Sequence, residues 1–143
     1  MQKNNRHSSL KIHHFGFLTK SIENSVKEFS LLGYVKFDRL YLDQERGIKI
    51  QFIRSKSGEL LELIEPASET SIVKGLVSSS NNKIYHICYY TDDIRKSIES
   101  LIEQGFMLIS PPQPAIALDN NYVAFLLSKH AGMIELYEDC NTK

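Results

Sequence analysis

IHHFGFLTKSIENSVKEFSLLGY, residues 12–34, and IYHICYYTDDIRKSIESLIEQGF, residues 84–106, are two versions of one pattern. Set one above the other, they keep a single offset: 86 − 14 = 72 relates His86 to His14, and the same step relates Thr91 to Thr19, Ile94 to Ile22, Ser97 to Ser25 and Gly105 to Gly33. Val26 with Ile98, Phe29 with Leu101 and Tyr34 with Phe106 are conservative matches in that register. Farther along the offset is 73, pairing Phe52 with Phe125, Ser55 with Ser128, Lys56 with Lys129, Glu62 with Glu135, Leu63 with Leu136 and Glu65 with Glu138. One inserted residue accounts for the step, so the chain is an internal duplication, and each copy is one supersecondary unit that needs its neighbour to complete a core.

Each copy opens with an apolar run (11–18; 84–90), the mark of a strand covered on both faces. A helix-period stripe follows, Ile22, Val26 and Phe29 in one copy and Ile94, Ile98, Leu101 and Ile102 in the other. Gly33 and Gly105 stand where a helix C-terminus wants left-handed backbone, and an aromatic then opens the next strand. Strand patterns follow at 34–42, 47–55 and 59–65, and in the second copy at 106–110, 113–117, 121–128 and 132–138. The reading is an α+β fold: two tandem β-α-β-β-β modules, 11–66 and 84–138, forming a cupped mixed sheet. Between them 67–83, with its Ser/Asn cluster, reads as a linker with a short helix near 72–76. Residues 1–10 and 140–143 read as loose ends.

Side chains alternate across a strand, so His14 shares a face with Ile12 and Gly16, and His86 with Ile84 and Cys88. Glu62 falls between Leu60 and Ile64, and Glu135 between Met133 and Tyr137. Two imidazoles and two carboxylates therefore point into largely apolar surroundings, where an unpaired charge costs several kcal/mol. A lone strand histidine is ordinarily a hydrogen-bonded core residue, and a lone strand glutamate a rim residue. Their recurrence in both copies, related by a pseudo-two-fold axis, instead makes them converge on that axis. A single divalent metal ion held by His14, Glu62, His86 and Glu135 neutralises the set, and imidazole with carboxylate suits zinc, manganese, cobalt, nickel or iron. His7, His13 and His130 have no such partners and read as exposed. Glu65 and Glu138 match each other but fall on the opposite face at strand ends, which suits a surface role.

Composition narrows the partners. With 17 Lys plus Arg against 17 Asp plus Glu in 143 residues, there is no chain-wide basic field for nucleic acid or an anionic membrane, and a small-molecule substrate is the expected partner. Apolar runs fall well short of the roughly 18 residues that span a bilayer, and the polar N-terminus lacks a signal pattern, so a cytoplasmic protein is expected. Two cysteines, Cys88 in a strand and Cys140 in the tail, make neither a disulfide framework nor a metal knuckle.

IHHFGFLTKSIENSVKEF with its later LLELIEP, and YHICYYTDDI with its later VAFLLSKHAGMIELYE, resemble the paired motifs of the vicinal oxygen chelate (glyoxalase/bleomycin resistance/dioxygenase) superfamily, most nearly those of the methylmalonyl-CoA epimerase family. The resemblance spans residues 11–138. It implies ligands on the first and last strand of each module, a metal that chelates adjacent substrate oxygens and stabilises an enolate, and a homodimer. DQERGIKIQFI is similar to an epimerase stretch carrying one of two acid/base groups. On that basis Glu45 and Glu135, the latter also a metal ligand, would move the α-proton of an acyl-CoA thioester. By itself, a charged residue in a turn before a strand is ordinarily just solvated. Some epimerases carry Gln where this chain has Glu62, which is also glyoxalase I-like. Tyr85 stands where many relatives have a second His, and VAFLLSK departs from VAFLHPK while keeping Lys129. No phosphate-binding glycine loop is present. The resemblance therefore leaves two alternatives beside the epimerase: a glyoxalase I-like lyase acting on a thiol hemithioacetal, and a non-enzymatic small-molecule-binding or resistance protein.

Overall fold

Alternating apolar side chains give every strand two faces, and the chain satisfies both by covering one with helices and rolling the other into a cup. The computed structural model describes residues 10–69, 71, 74 and 82–139. The elements run β1 (Ile12–Leu18), α1 (Ile22–Ser30), β2 (Val35–Asp43), β3 (Ile48–Arg54), β4 (Leu60–Pro66), β5 (Lys83–Tyr90), α2 (Ile94–Glu103), β6 (Met107–Ala115), a 3-10 turn (Ile116–Leu118), β7 (Asn121–Ser128) and β8 (Gly132–Glu138). All eight strands form one mixed sheet in the order β2-β3-β4-β1-β5-β8-β7-β6. β1 runs parallel to β4 and β5 parallel to β8, and the two copies meet where β1 and β5 pair antiparallel.

Three apolar clusters follow from this arrangement. α1 lays Ile22, Val26 and Phe29 on Phe15, Phe17, Leu61 and Leu63, and α2 lays Ile94, Ile98 and Leu101 on Tyr89, Ala124, Leu126 and Leu136. The third cluster lines the concave face of both copies, with Leu18, Ile50, Phe52 and Ile64 from one and Cys88, Val123 and Tyr137 from the other. The sheet curls far enough for the Arg46 guanidinium, on the β2–β3 turn, to donate to the Pro114 carbonyl of β6 at 3.4 Å.

The repeated residues explain the helix ends. Ser21 and Asp93 cap the two N-termini, accepting from the backbone of Asn24 and Lys96. Behind each cap a hydroxyl pair is repeated, Thr19 with Ser25 at 2.7 Å and Thr91 with Ser97 at 2.6 Å. Gly33 and Gly105 adopt φ of 93° and 100°. There Tyr34 and Phe106 donate back to the carbonyls of Phe29 and Leu101, closing the helices as the sequence predicts.

Two expectations are corrected. The strands expected at 106–110 and 113–117 are one strand, and residues 116–118 turn into the 3-10 segment. Pro111 and Pro112 do not break it because β6 is an edge strand, where one of two adjacent prolines faces away from the sheet, and the β6–β7 pairing is interrupted by a register shift between Ser110 and Gln113 that accommodates the other. Glu65 and Glu138 are not surface residues. Each is half-buried and accepts the first helical N–H of its own copy, Ile22 to Glu65 at 2.9 Å and Ile94 to Glu138 at 3.2 Å. A carboxylate at a helix N-terminus meets an unpaired donor and the positive end of the helix dipole. The helix expected near 72–76 lies outside the described residues except for Lys74, as do Cys140, His7 and residues 1–9. Among the described residues no helix is long and apolar enough to cross a membrane.

Candidate metal centre and cavity

His14, Glu62, His86 and Glu135 come together on the concave face at the seam between the copies, all four buried. β1 and β5 bring the imidazoles side by side, Nε2 to Nε2 at 3.2 Å. β4, parallel to β1, delivers Glu62, and β8, parallel to β5, delivers Glu135. Oε1 of Glu135 lies 3.1 Å from both Nε2 atoms, and Oε1 of Glu62 lies 3.6 Å from His14 and 3.5 Å from His86.

These separations test whether a divalent ion fits. A tetrahedron with metal–ligand bonds of about 2.0–2.1 Å has edges of about 3.3 Å, the middle of the observed spread. Nδ1 of His86 is buried without a hydrogen-bond partner among the described residues, so the ring's polar contacts lie on its Nε2 side, toward the other three groups. Burial alone would lower the His14 pKa, but Glu62, a contact from the Cys88 thiol and Glu135 together raise it well above its ordinary value. Burial alone would raise Glu135, yet His86 and His14 hold its carboxyl well below the ordinary range.

Beside the cluster a cavity opens to solvent. Glu62, His86 and Glu135 stand at its polar end, and Ile48, Ile50, Ile64, Val123 and Phe125 form its walls. Asp43 and Arg46, paired at 2.8 Å, lie toward the far end. Asp43 pairs with Ile48 and Ile48 with Pro66, four residues beyond Glu62, which puts the pair about 13 Å along the strands from the cluster.

Glu45 is not brought to this site. It is exposed on the β2–β3 turn and does not line the cavity. The reason is local: the Asp43 carboxylate accepts both the backbone N–H and the guanidinium of Arg46, at 3.0 and 2.8 Å, so this pair turns inward and Glu45 outward. The carboxylates that do line the cavity are Asp43, Glu62 and Glu135.

Two further residues escape sequence reasoning. His13, expected to be exposed, is half-buried with Nδ1 2.7 Å from Nδ1 of His14, and burial together with the His14 charge lowers its pKa to about 4. Gly16 lies directly under the His86 ring, with no room for a Cβ. A glycine inside a strand is itself a signal of such close approach. His130 is exposed, as expected.

Residues 13–125 match the family model described as Glyoxalase/Bleomycin resistance protein/Dioxygenase superfamily. The chain belongs to this superfamily, and its cupped eight-stranded sheet is the fold seen in the solved structures it resembles. Its relatives include methylmalonyl-CoA epimerases. The mitochondrial enzyme of Dictyostelium discoideum is 23% identical over 131 residues, covering 90% of this chain and 78% of that protein. A single-substitution variant of the Streptomyces coelicolor enzyme, in complex with 2-nitronate-propionyl-CoA, superposes with a TM-score of 0.78 at 20% identity, over 92% of this chain and 99% of the other. A hypothetical protein of Bacillus halodurans C-125 superposes with a TM-score of 0.81 at 26% identity, over 92% and 95% of the two chains.

Proposed function

We propose that the chain is a metal-dependent isomerase moving a proton on the α-carbon of an acyl-CoA thioester such as methylmalonyl-CoA, with His14, Glu62, His86 and Glu135 holding one cobalt, manganese, zinc or nickel ion. The observation that carries this is the convergence of four buried ligand atoms, of whose residues Glu62, His86 and Glu135 line the polar end of a cavity. The methylmalonyl-CoA epimerases that the chain resembles supply the substrate class. When bound, the ion would supply the Lewis acidity that stabilises an enolate.

The chain's own residues do the rest. Apolar walls exclude water from the reacting carbon. Glu135, held as a carboxylate, takes the α-proton as the C–H electron pair moves toward the carbonyl. Epimerisation returns a proton to the opposite face, the part that the resemblance gives to Glu45, which stands on the β2–β3 turn outside the cavity. A homodimer is part of the proposal, supported by exposed apolar side chains on the edge strands, among them Val35 and Leu42 of β2 and Met107 and Ile109 of β6.

One observation favours a second reading. With Glu45 outside the cavity, the carboxylates nearest a chelated substrate are Glu62 and Glu135, one from each copy. That pair suits a proton shift between adjacent carbons, as in a glyoxalase I-like lyase working on a thiol hemithioacetal. Proton NMR in D2O decides between them. Metal-dependent loss of the α-proton signal of methylmalonyl-CoA, abolished by Glu45→Gln or Glu135→Gln, supports the epimerase. No exchange there, with turnover of a hemithioacetal that survives Glu45→Gln, moves the assignment to the lyase.

A further inference from the structure

Each ligand histidine follows a β-bulge. In the β1–β5 ladder Ile12 pairs with Tyr89 and His14 with Cys88, so His13 is an extra residue in β1. Gly16 pairs with His86 and Phe17 with Ile84, so Tyr85 is the extra residue in β5. A bulge breaks strict alternation and re-aims a side chain. Here it swings the preceding residue onto the ligand's ring. His13 meets His14 edge-on at 4.9 Å and 81°, and Tyr85 meets His86 at 4.9 Å and 78°. The geometry is repeated but the chemistry is not. Nδ1 of His14 has Nδ1 of His13 at 2.7 Å, whereas Nδ1 of His86 has no partner among the described residues.

A neutral imidazole that offers Nε2 to a cation carries its proton on Nδ1, and that N–H needs an acceptor to fix ring and tautomer. Two neutral imidazoles facing each other through Nδ1 must divide the roles, one donating and one accepting. We propose that His13 is a positioning residue: its Nδ1 accepts the Nδ1–H of His14, holding the Nε2 lone pair of His14 toward Glu62, Glu135 and His86. His14 is thereby the anchored histidine of the cluster and His86 the less firmly held one. The inference rests on the four-ligand reading above.

The competing account is packing, since the His13 ring also lies 4.9 Å from Tyr90 and 5.0 Å from Tyr137. Two substitutions pull the accounts apart. His13→Phe keeps an aromatic ring and removes the acceptor, whereas His13→Gln removes the ring and keeps an acceptor. The full chain, stripped of metal, is titrated with cobalt(II) against a competing chelator while the visible absorption of the bound ion is followed. The expected result is a loss of about 10- to 100-fold in cobalt affinity for His13→Phe. His13→Gln stays within a few-fold of the unsubstituted chain, even where it melts at a lower temperature. The reverse order, with Phe tolerated and Gln not, assigns His13 to packing and overturns the proposal, as does parity of all three proteins. An unsubstituted chain that takes up no cobalt is a separate failure, because it removes the four-ligand reading itself.

Discussion

Gly16→Ala is a small substitution with a large expected effect. Gly16 is the register partner of His86, and a Cβ there would lie 2.2 Å from Cε1, 2.5 Å from Nδ1 and 2.6 Å from Nε2 of the ring. Carbon atoms come to rest about 3.5 Å apart, so the ring must retreat by about 1.3 Å. Metal–nitrogen bonds hold to within about 0.2 Å, so that retreat removes His86 from the ligand set. A four-ligand zinc site is worth about 10–16 kcal/mol, roughly 3 kcal/mol per ligand, and the dissociation constant should therefore rise about 100-fold or more. Crowding should also cost about 1–3 kcal/mol of folding stability, independent of metal. Competition titration with zinc and a chromophoric chelator measures the first effect, and urea unfolding of the metal-free protein measures the second. A Gly16→Ala protein that binds zinc as tightly as the parent would refute the placement of His86 in the site.

Three other expectations follow from the same structure. Removing either helix-capping carboxylate, by Glu65→Ala or Glu138→Ala, should cost about 0.5–2 kcal/mol in urea unfolding. Because the two helices sit on separate clusters, the double variant should add within about 0.5 kcal/mol and leave metal affinity unchanged; strong coupling would refute independent caps. The metal-free protein should be most stable near pH 6.5. Below that the unfolded chain binds a proton that folded His13, with its pKa near 4, refuses, so stability falls with pH, and Glu135 adds to the loss below its unfolded value of 4.5. Above it, folded His14 keeps a proton that the unfolded chain has released, so stability declines as pH rises through the raised His14 pKa. Melting temperatures of chelator-treated protein from pH 4 to 9 would count against this if they climbed steadily past 6.5. Finally, Tyr85→His should give Nδ1 of His86 the partner it lacks among the described residues and tighten cobalt binding several-fold; a weaker site would show that the two bulges are not equivalent.

Much of the site was legible because the duplication doubled every signal. A single histidine in IHHFGFL is ambiguous, but His14 and His86 at one offset, with Glu62 and Glu135 at the next, are polar residues placed twice on faces that alternation makes apolar. The helix-ending glycines were readable for a similar reason, since each precedes an aromatic that closes the helix. What escaped depends on pairing between segments distant in sequence. Glu65 reaches a helix that begins 43 residues earlier, and Glu138 one that begins 44 earlier, so strand-face logic put them on the right face without showing what they touch. The bulges at His13 and Tyr85 exist only in the register between β1 and β5, and no local pattern announces them. Glu45 was placed by resemblance, and its outward position is decided by the competing hydrogen bonds of Asp43 and Arg46.

The seam explains why the duplicated residues gather into a single four-residue cluster among the described residues instead of one pair per copy. Each copy contributes one histidine from its first strand and one glutamate from its last, and half of that set cannot neutralise a buried divalent ion. Joining β1 to β5 brings the halves within bonding range, so the ligand set and the central apolar cluster are completed by the same pairing. The two copies then diverge at the residues that touch the ligands. Gly16 faces His86 where Cys88 faces His14, and Nδ1 of His14 meets His13 where Nδ1 of His86, beside Tyr85, has no partner among the described residues. His86 and Tyr85 line the cavity, whereas His13 and His14 stand behind it. The fold is thus near-symmetric in backbone but asymmetric in chemistry, with His13 against His14 in one half and His86 open to the cavity in the other.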